Sequence, residues 1–205
     1  MASIENKKMN VDKNQDLEAS KARSKARVAD FLDSLDPAID RRDDAIASEL
    51  ANENSSARNK LRKIYALLSD VGVAVAPFVA CRKGCSGCCK MNISLTSIEA
   101  ERLAAASGRL MAHPYRTIFH REDKFAGVPC PFLVDDECSV YEARPYACRA
   151  HYSFDVSSYW CQPERAYEGE MAQLELGGAK KAYVDIALRT SIRGFADIRD
   201  FFPLD

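Results

Sequence analysis

Eight cysteines, at positions 81, 85, 88, 89, 130, 138, 148 and 161, carry the most distinctive chemistry of this 205-residue chain. The 80 residues before the first and the 44 after the last contain none. A lone buried cysteine is a small hydrophobe, but eight crowded into one stretch point to metal binding or thiol chemistry. The first group reads Cys81-Arg-Lys-Gly-Cys85-Ser-Gly-Cys88-Cys89. Within it, Cys85-Ser-Gly-Cys88 has the two-residue spacing that lets a pair of thiolates grip one ion. Gly84 and Gly87 permit turns that aim backbone amides at the sulfurs. Cys130, Cys138 and Cys148 supply further thiols from a distant part of the chain, so a metal shared by both groups would tie the segment before Thr96 to the segment after Val128.

Two features limit simple models of such a centre. Neighbouring side chains diverge on strand and helix alike, so Cys88 and Cys89 are not expected to serve one mononuclear ion together. One tetrahedral zinc or one four-iron cluster takes four cysteines, leaving four of the eight. Two such sites, a polynuclear cluster, or one site with spare reactive thiols all remain open, with Cys161 as the outlier beside Trp160. Arg82, Lys83, Lys90, Arg144 and Arg149 flank these cysteines and favour their thiolate forms.

The first group, then Ile93 to Glu99 (ISLTSIE), Cys130-Pro-Phe-Leu, Cys138-Ser-Val-Tyr-Glu, Arg144-Pro145 and Cys148-Arg149, resembles the YkgJ-type cysteine-cluster family over residues 81 to about 150. That family is described as a zinc- or iron-chelating domain and named for a CxxCxxCC motif; flagellin lysine N-methylase contains a related domain. Three residues separate Cys81 from Cys85, where the motif's name has two. The resemblance implies Cys81, Cys85, Cys88, Cys89, Cys130, Cys138 and Cys148 as ligands of zinc or an iron-sulfur cluster.

Several elements must position these groups. Residues 1–20 hold few large apolar side chains and read as a disordered tail. Val28, Phe31, Leu32 and Leu35 form a helical stripe. Asp36-Pro37 ends that helix and starts another as N-cap and first helical residue, with Ile39, Ile46 and Leu50 on one side. A third helix, starting after Ser55 or Ser56, carries Leu61, Ile64, Tyr65 and Leu68 and decays near Gly72 or Pro77. Thr96-Ser-Ile-Glu99 is a capping box opening a helix over 97–107, closed by Gly108. Residues 112–129 read as loop. A short helical segment near 164–176, a Gly177-Gly178 break and a helix over about 179–196, with Tyr183, Ile186, Ala187 and Thr190 on one face, complete the chain. The fold expected is mainly α: an N-terminal helical segment (21–76) and a C-terminal one (164–205) packed around an irregular cysteine-rich centre (77–163) with at most short strands.

Other features carry blander readings. His151, three residues after Cys148, suits a loop hydrogen bond better than a ligand position, and His113 and His120 have no assigned role. Lys21-Ala-Arg-Ser-Lys-Ala-Arg27 reads as a solvated helix face. Arg144 before Pro145 is placed to bond carbonyls around the cysteine loop, and Asp135-Asp136-Glu137 reads as an exposed turn.

A formal charge of -1 offers no polycation for nucleic acid. Val71 to Cys81, the longest uncharged apolar stretch near the middle of the chain, falls far short of the roughly 20 residues that span a bilayer. Met1 to Asp16 lacks the apolar run of a secretory signal, so a cytoplasmic location is expected. No phosphate loop, dinucleotide-binding glycine fingerprint, H-E-x-x-H or G-x-S-x-G is present, which removes support for nucleotide hydrolysis and the common hydrolases. The leading expectation is a metal-binding protein whose metal organises the centre. The alternatives are a metal-dependent enzyme, redox or protein-modifying like the flagellin methylase, and a metal-stabilised module for a protein partner.

Overall fold

The computed structural model describes residues 17–190 and 195–204, the side chain of Thr190 excepted. The expected tail lies outside this range as far as residue 16; Leu17 to Ser20 already belong to the first helix. Three helices open the described part of the chain: α1 (Leu17–Ser34), α2 (Pro37–Asn52) and α3 (Ala57–Val75). Their starts are set locally. The Asp36 side chain accepts from Ala38 N with Pro37 in the first turn, and Ser56 accepts from Asn59 N. β1 (Ser94–Thr96) runs into α4 (Ser97–Ser107), whose capping box joins Thr96 to Glu99 and whose end at Gly108 is left-handed, φ 71°. A short hairpin, β2 (Leu133–Val134) and β3 (Glu137–Cys138), precedes the one-turn helix α5 (Tyr146–Arg149). α6 (Gly177–Thr190), β4 (Phe195–Asp197) and α7 (Ile198–Phe201) complete the described chain. The protein is mainly α, with two short two-stranded sheets among the described residues.

The apolar stripes fill two cores. In the first, Phe31 of α1, Ile46 and Leu50 of α2, the Leu61, Ile64, Leu68 and Val71 face of α3, and Tyr183 and Ile186 of α6 pack together. Leu32, expected on the same stripe as Phe31, is 51% exposed. The second core gathers Ile93, Leu95, Leu103, Phe132, Val140, Ile198, Phe201 and Phe202, with Cys89, Cys138 and Cys148 packed against it.

Three expectations about the C-terminal region are corrected. No helix occupies 164–176, which forms turns and extended chain. Gly177-Gly178 begins α6 instead of interrupting the chain: the Asp43 carboxylate of α2 accepts from Gly178 N (3.0 Å) and Ala179 N (2.8 Å), capping α6 from a neighbouring helix. A Cβ on Gly178 would collide with the Asp43 backbone carbonyl, so the glycine is what permits this approach. Finally, Phe195–Asp197 is a strand, paired antiparallel with β1 (Ser94↔Asp197, Leu95↔Ala196, Thr96↔Phe195). Ala196 and Ile198 are buried in the second core, which outweighs the helical pattern read through this segment. The C-terminal residues thereby become part of the cysteine-rich half.

Candidate metal centre

The two cysteine groups meet. Cys130 N donates to Cys89 O at 2.7 Å, joining stretches 41 positions apart through their backbones. Around Cys81 and Cys85 the chain turns at Gly84, φ 87°, and a tight 3-10 turn covers Gly87–Lys90. A second strip of chain lies against this loop. Ala80 N donates to Ser153 O (2.8 Å), Ser153 N donates to Cys81 Sγ (3.2 Å), and the Ser153 hydroxyl bonds Cys161. Cys161 stands directly over the Cys85-Ser-Gly-Cys88 turn: a Cβ at Gly87 would lie 2.7 Å from Cys161 O and 3.2 Å from Cys161 Cβ. The structure therefore brings the outlying cysteine to the first group, and no local sequence signal announces it.

The second neighbourhood forms around Cys89. The β2–β3 hairpin places Cys138 opposite Leu133, and its two-residue loop puts Asp135 and Asp136 at φ 49° and 58°, the positive values a twisted two-residue hairpin loop needs. The expected turn at 135–137 thus sits at the hairpin tip, where Asp136 accepts from Ser86 Oγ (3.0 Å) and Lys90 Nζ (3.2 Å) and ties the tip to the first cysteine loop. Backbone amides two residues on donate to Cys130 (from Phe132) and to Cys138 (from Val140), a pattern suited to holding thiolates. Cys148, on α5, lies in the electrostatic field of Cys130, Cys89 and Cys138.

Burial is the largest influence on most of these thiols, opposed at Cys81, Cys130, Cys138 and Cys161 by hydrogen bonds to the sulfur and reinforced by the crowding of like groups. It raises Cys81, Cys138 and Cys161, pushes Cys130 up to about 12 and lifts Cys148 well above its ordinary value. The adjacent pair splits. The Cys88 thiol donates to Cys89, which raises Cys88 and lowers Cys89 to about 7, helped by Arg144, Arg199 and Lys90. Arg144 acts on Cys81, Cys138 and Cys148 as well, and its Nε donates to Tyr141 O (3.0 Å), the carbonyl-bonding role expected of it.

All eight cysteines are free thiols. Among the described residues no group of three or more His, Cys, Asp or Glu side chains is arranged to hold a metal ion. The donor set itself fits zinc or iron: several soft thiols from separated strands, backbone amides aimed at sulfur, and guanidinium groups to offset negative charge.

Two supports of the centre lie far away in sequence. Arg199 on α7, 6% exposed, donates to Val128 O (2.5 Å), Pro129 O (3.2 Å), Met91 O (3.2 Å) and Cys89 O (3.4 Å) while pairing with Asp197 at 3.0 Å. One buried guanidinium thus clamps the loops that carry Cys89 and Cys130. Glu99, 1% exposed, links the helical core to α5: it accepts from Tyr65 OH (2.6 Å), Tyr183 OH (2.5 Å), Thr96 N (2.9 Å) and Tyr146 N (2.7 Å), the last at the start of the turn that carries Cys148. Sequence reasoning recognised Glu99 as a cap and gave Arg199 no role.

The remaining polar candidates are used elsewhere. Arg23 bonds the buried Asp155 and Arg27 bonds Phe78 O, so two basic residues of the 21–27 run fasten α1 to the rest of the chain. His120 pairs with Asp200 at 2.9 Å. Burial lowers the His151 pKa, which favours its neutral form. None of the described helices is long and apolar enough to cross a membrane.

Residues 80–165 match the CxxCxxCC family model, described as a putative zinc- or iron-chelating domain. The match covers all eight cysteines, Cys161 included, and stops short of Arg199. No curated protein and no solved structure matches the chain.

Proposed function

We infer, from the zinc- or iron-chelating domain that occupies residues 80–165, that the chain is a cytoplasmic protein whose clustered thiolates hold zinc or an iron-sulfur cluster. Cys81, Cys85, Cys88, Cys89, Cys130, Cys138 and Cys148 are the proposed ligands, and the metal's first role is to organise the centre. The observation that carries this reading is the meeting of two cysteine groups distant in sequence, joined at Cys130 N and Cys89 O. Without a metal, that region would rest on a small second core and a scatter of turns. Structural zinc adds apparent binding energies of about 10–16 kcal/mol, as much as a whole domain's stability of about 5–15 kcal/mol.

One observation favours a second reading, a metal-dependent enzyme. An open groove of about 680 Å³ runs beside the second neighbourhood, lined by Lys83, Arg102, Glu137, Cys138, Ser139 and Tyr141 among others. Cys138 forms part of its wall, so a metal held there would lie beside space that a small polar substrate could enter.

Anaerobic purification followed by elemental analysis and a visible spectrum tests the proposal. Stoichiometric zinc in colourless protein, or iron with acid-labile sulfide in brown protein, is the expected result. Zinc would remove electron transfer, and protein carrying neither metal would overturn the reading.

A further inference from the structure

We propose that the eight cysteines form two separate four-thiolate metal centres side by side, Cys81, Cys85, Cys88 and Cys161 in one and Cys89, Cys130, Cys138 and Cys148 in the other. The proposal rests on the metal-binding reading above and assigns its architecture, including a ligand, Cys161, beyond the four cysteines of the motif.

The partition follows from which sulfurs are neighbours. Cys161 covers the Cys85–Cys88 turn so closely that only a hydrogen fits at residue 87, and Ser153 reaches Cys81 through its amide and Cys161 through its hydroxyl. Cys81 lies in the field of both Cys161 and Cys85, and Cys161 in that of Cys85. On the other side, Cys130 is bonded to the Cys89 carbonyl and lies in the field of Cys89 and Cys138, while Cys148 feels Cys130, Cys89 and Cys138. This second set has four members without Cys88. The first has three, and Cys88, which feels Cys148 of the second set as well as Cys81, completes it through its place beside Gly87, directly under Cys161. Successive residues of a 3-10 turn such as Gly87–Lys90 point about 120 degrees apart, so Cys88 and Cys89 can face opposite centres across a single peptide bond.

Charge agrees with the division. A divalent ion with four thiolates carries two net negative charges, and two such centres close together need cations between them. Arg144 acts on thiols of both sets, Cys81 in the first and Cys89, Cys138 and Cys148 in the second, and Arg199 adds its charge beside Cys89 and Cys130. Loading is an exchange of protons for metal. Each thiol releases its proton to solvent as a metal-sulfur bond forms, and the Cys88–Cys89 hydrogen bond breaks as the two sulfurs turn apart.

The test is an anaerobic titration of the metal-free full chain with cobalt(II). It is read by the intense visible bands of tetrahedral cobalt-thiolate sites and by cobalt per chain after gel filtration. Wild type should take up two equivalents. Cys161→Ser and Cys138→Ser should each lose one tight equivalent and keep the other, and the double variant should lose both. Cys81→Ser and Cys130→Ser repeat the experiment for each set, and far-UV circular dichroism identifies any variant that has lost its helices. Saturation of wild type at one equivalent, or loss of both or neither equivalent in the folded single variants, would overturn the two-centre division while leaving metal binding intact. A wild type that takes up no cobalt would overturn both.

Discussion

Replacing Arg199 by methionine removes a charge that the fold has buried without removing the groups arranged around it. Val128, Pro129, Met91 and Cys89 would each lose a donor to their carbonyl oxygens, and Asp197, 2% exposed, would be left with backbone donors such as Ile93 N, Arg199 N and Asp200 N. Stripping the partner from a buried ion pair costs about 3–5 kcal/mol, and a hydrogen bond to a charged group contributes about 1.5–3 kcal/mol where water cannot replace it. Part of the second loss is recovered, because loosened loops admit water. A destabilisation of about 3–5 kcal/mol is therefore expected, a third or more of a typical domain's stability of about 5–15 kcal/mol. Lysine keeps the charge but not the planar fork, so Arg199→Lys should recover the Asp197 pair and leave several carbonyls unpaired. The assay is urea unfolding of wild type, Arg199→Met and Arg199→Lys, each with excess metal and with chelator, alongside metal affinity measured by competition. The order of stability expected is wild type, then lysine, then methionine, with metal affinity falling in the same order, since the guanidinium also favours the Cys89 and Cys130 thiolates. A methionine variant within about 1 kcal/mol of wild type, with unchanged metal affinity, would refute the clamp, because surface substitutions alone stay within about 0.5 kcal/mol.

Three further outcomes are expected. Gly87→Ala sets a methyl group 2.7 Å from Cys161 O, so it should reduce metal bound at the Cys81, Cys85, Cys88 and Cys161 group while leaving urea unfolding of the helical core unchanged; elemental analysis and denaturation check the two parts separately. Gly178→Ala drives a methyl group into the Asp43 carbonyl and should cost about 3 kcal/mol, the upper end for overpacking, seen as a lowered thermal midpoint with metal content per folded chain unchanged. Tyr65 and Tyr183 are raised above their ordinary value of 10 by burial and then by Glu99, so the folded state holds their protons longer than the unfolded state does. Their stabilisation is whole below pH 10 and is lost as pH rises above it, at about 1.4 kcal/mol per pH unit for each group. Unfolding free energies measured between pH 8 and 11 should fall less steeply in Tyr65→Phe than in wild type, and equal slopes would contradict the assignment.

Local signals made much of this fold legible. Asp36-Pro37, Ser56, Thr96 with Glu99, and Gly108 mark helix ends through bonds to residues a few positions away, and the stripe on α3 follows from period alone. What stayed hidden depends on long-range approach. Gly177-Gly178 looks like a break because glycine weakens isolated helices, yet here the missing side chain lets α2 cap α6. Phe195–Asp197 continued a helical pattern, and only its partner β1, about a hundred residues earlier, makes it a strand. The cysteines announced a centre by type and crowding, but their grouping did not follow from spacing: Cys161 reaches Gly87 only because the chain from Ser153 onward lies along the first loop. Arg199 gave no signal at all, since an arginine near a C-terminus is usually solvated and nothing nearby reveals the carbonyls it meets.

The central claim is that cysteine sulfur alone surrounds the metal. X-ray absorption at the metal edge, on protein purified anaerobically with the metal it acquires during expression, measures this directly. The account predicts a first shell of sulfur alone, at about 2.3 Å if the metal is zinc. A shell dominated by oxygen or nitrogen at about 2.0–2.1 Å would contradict it.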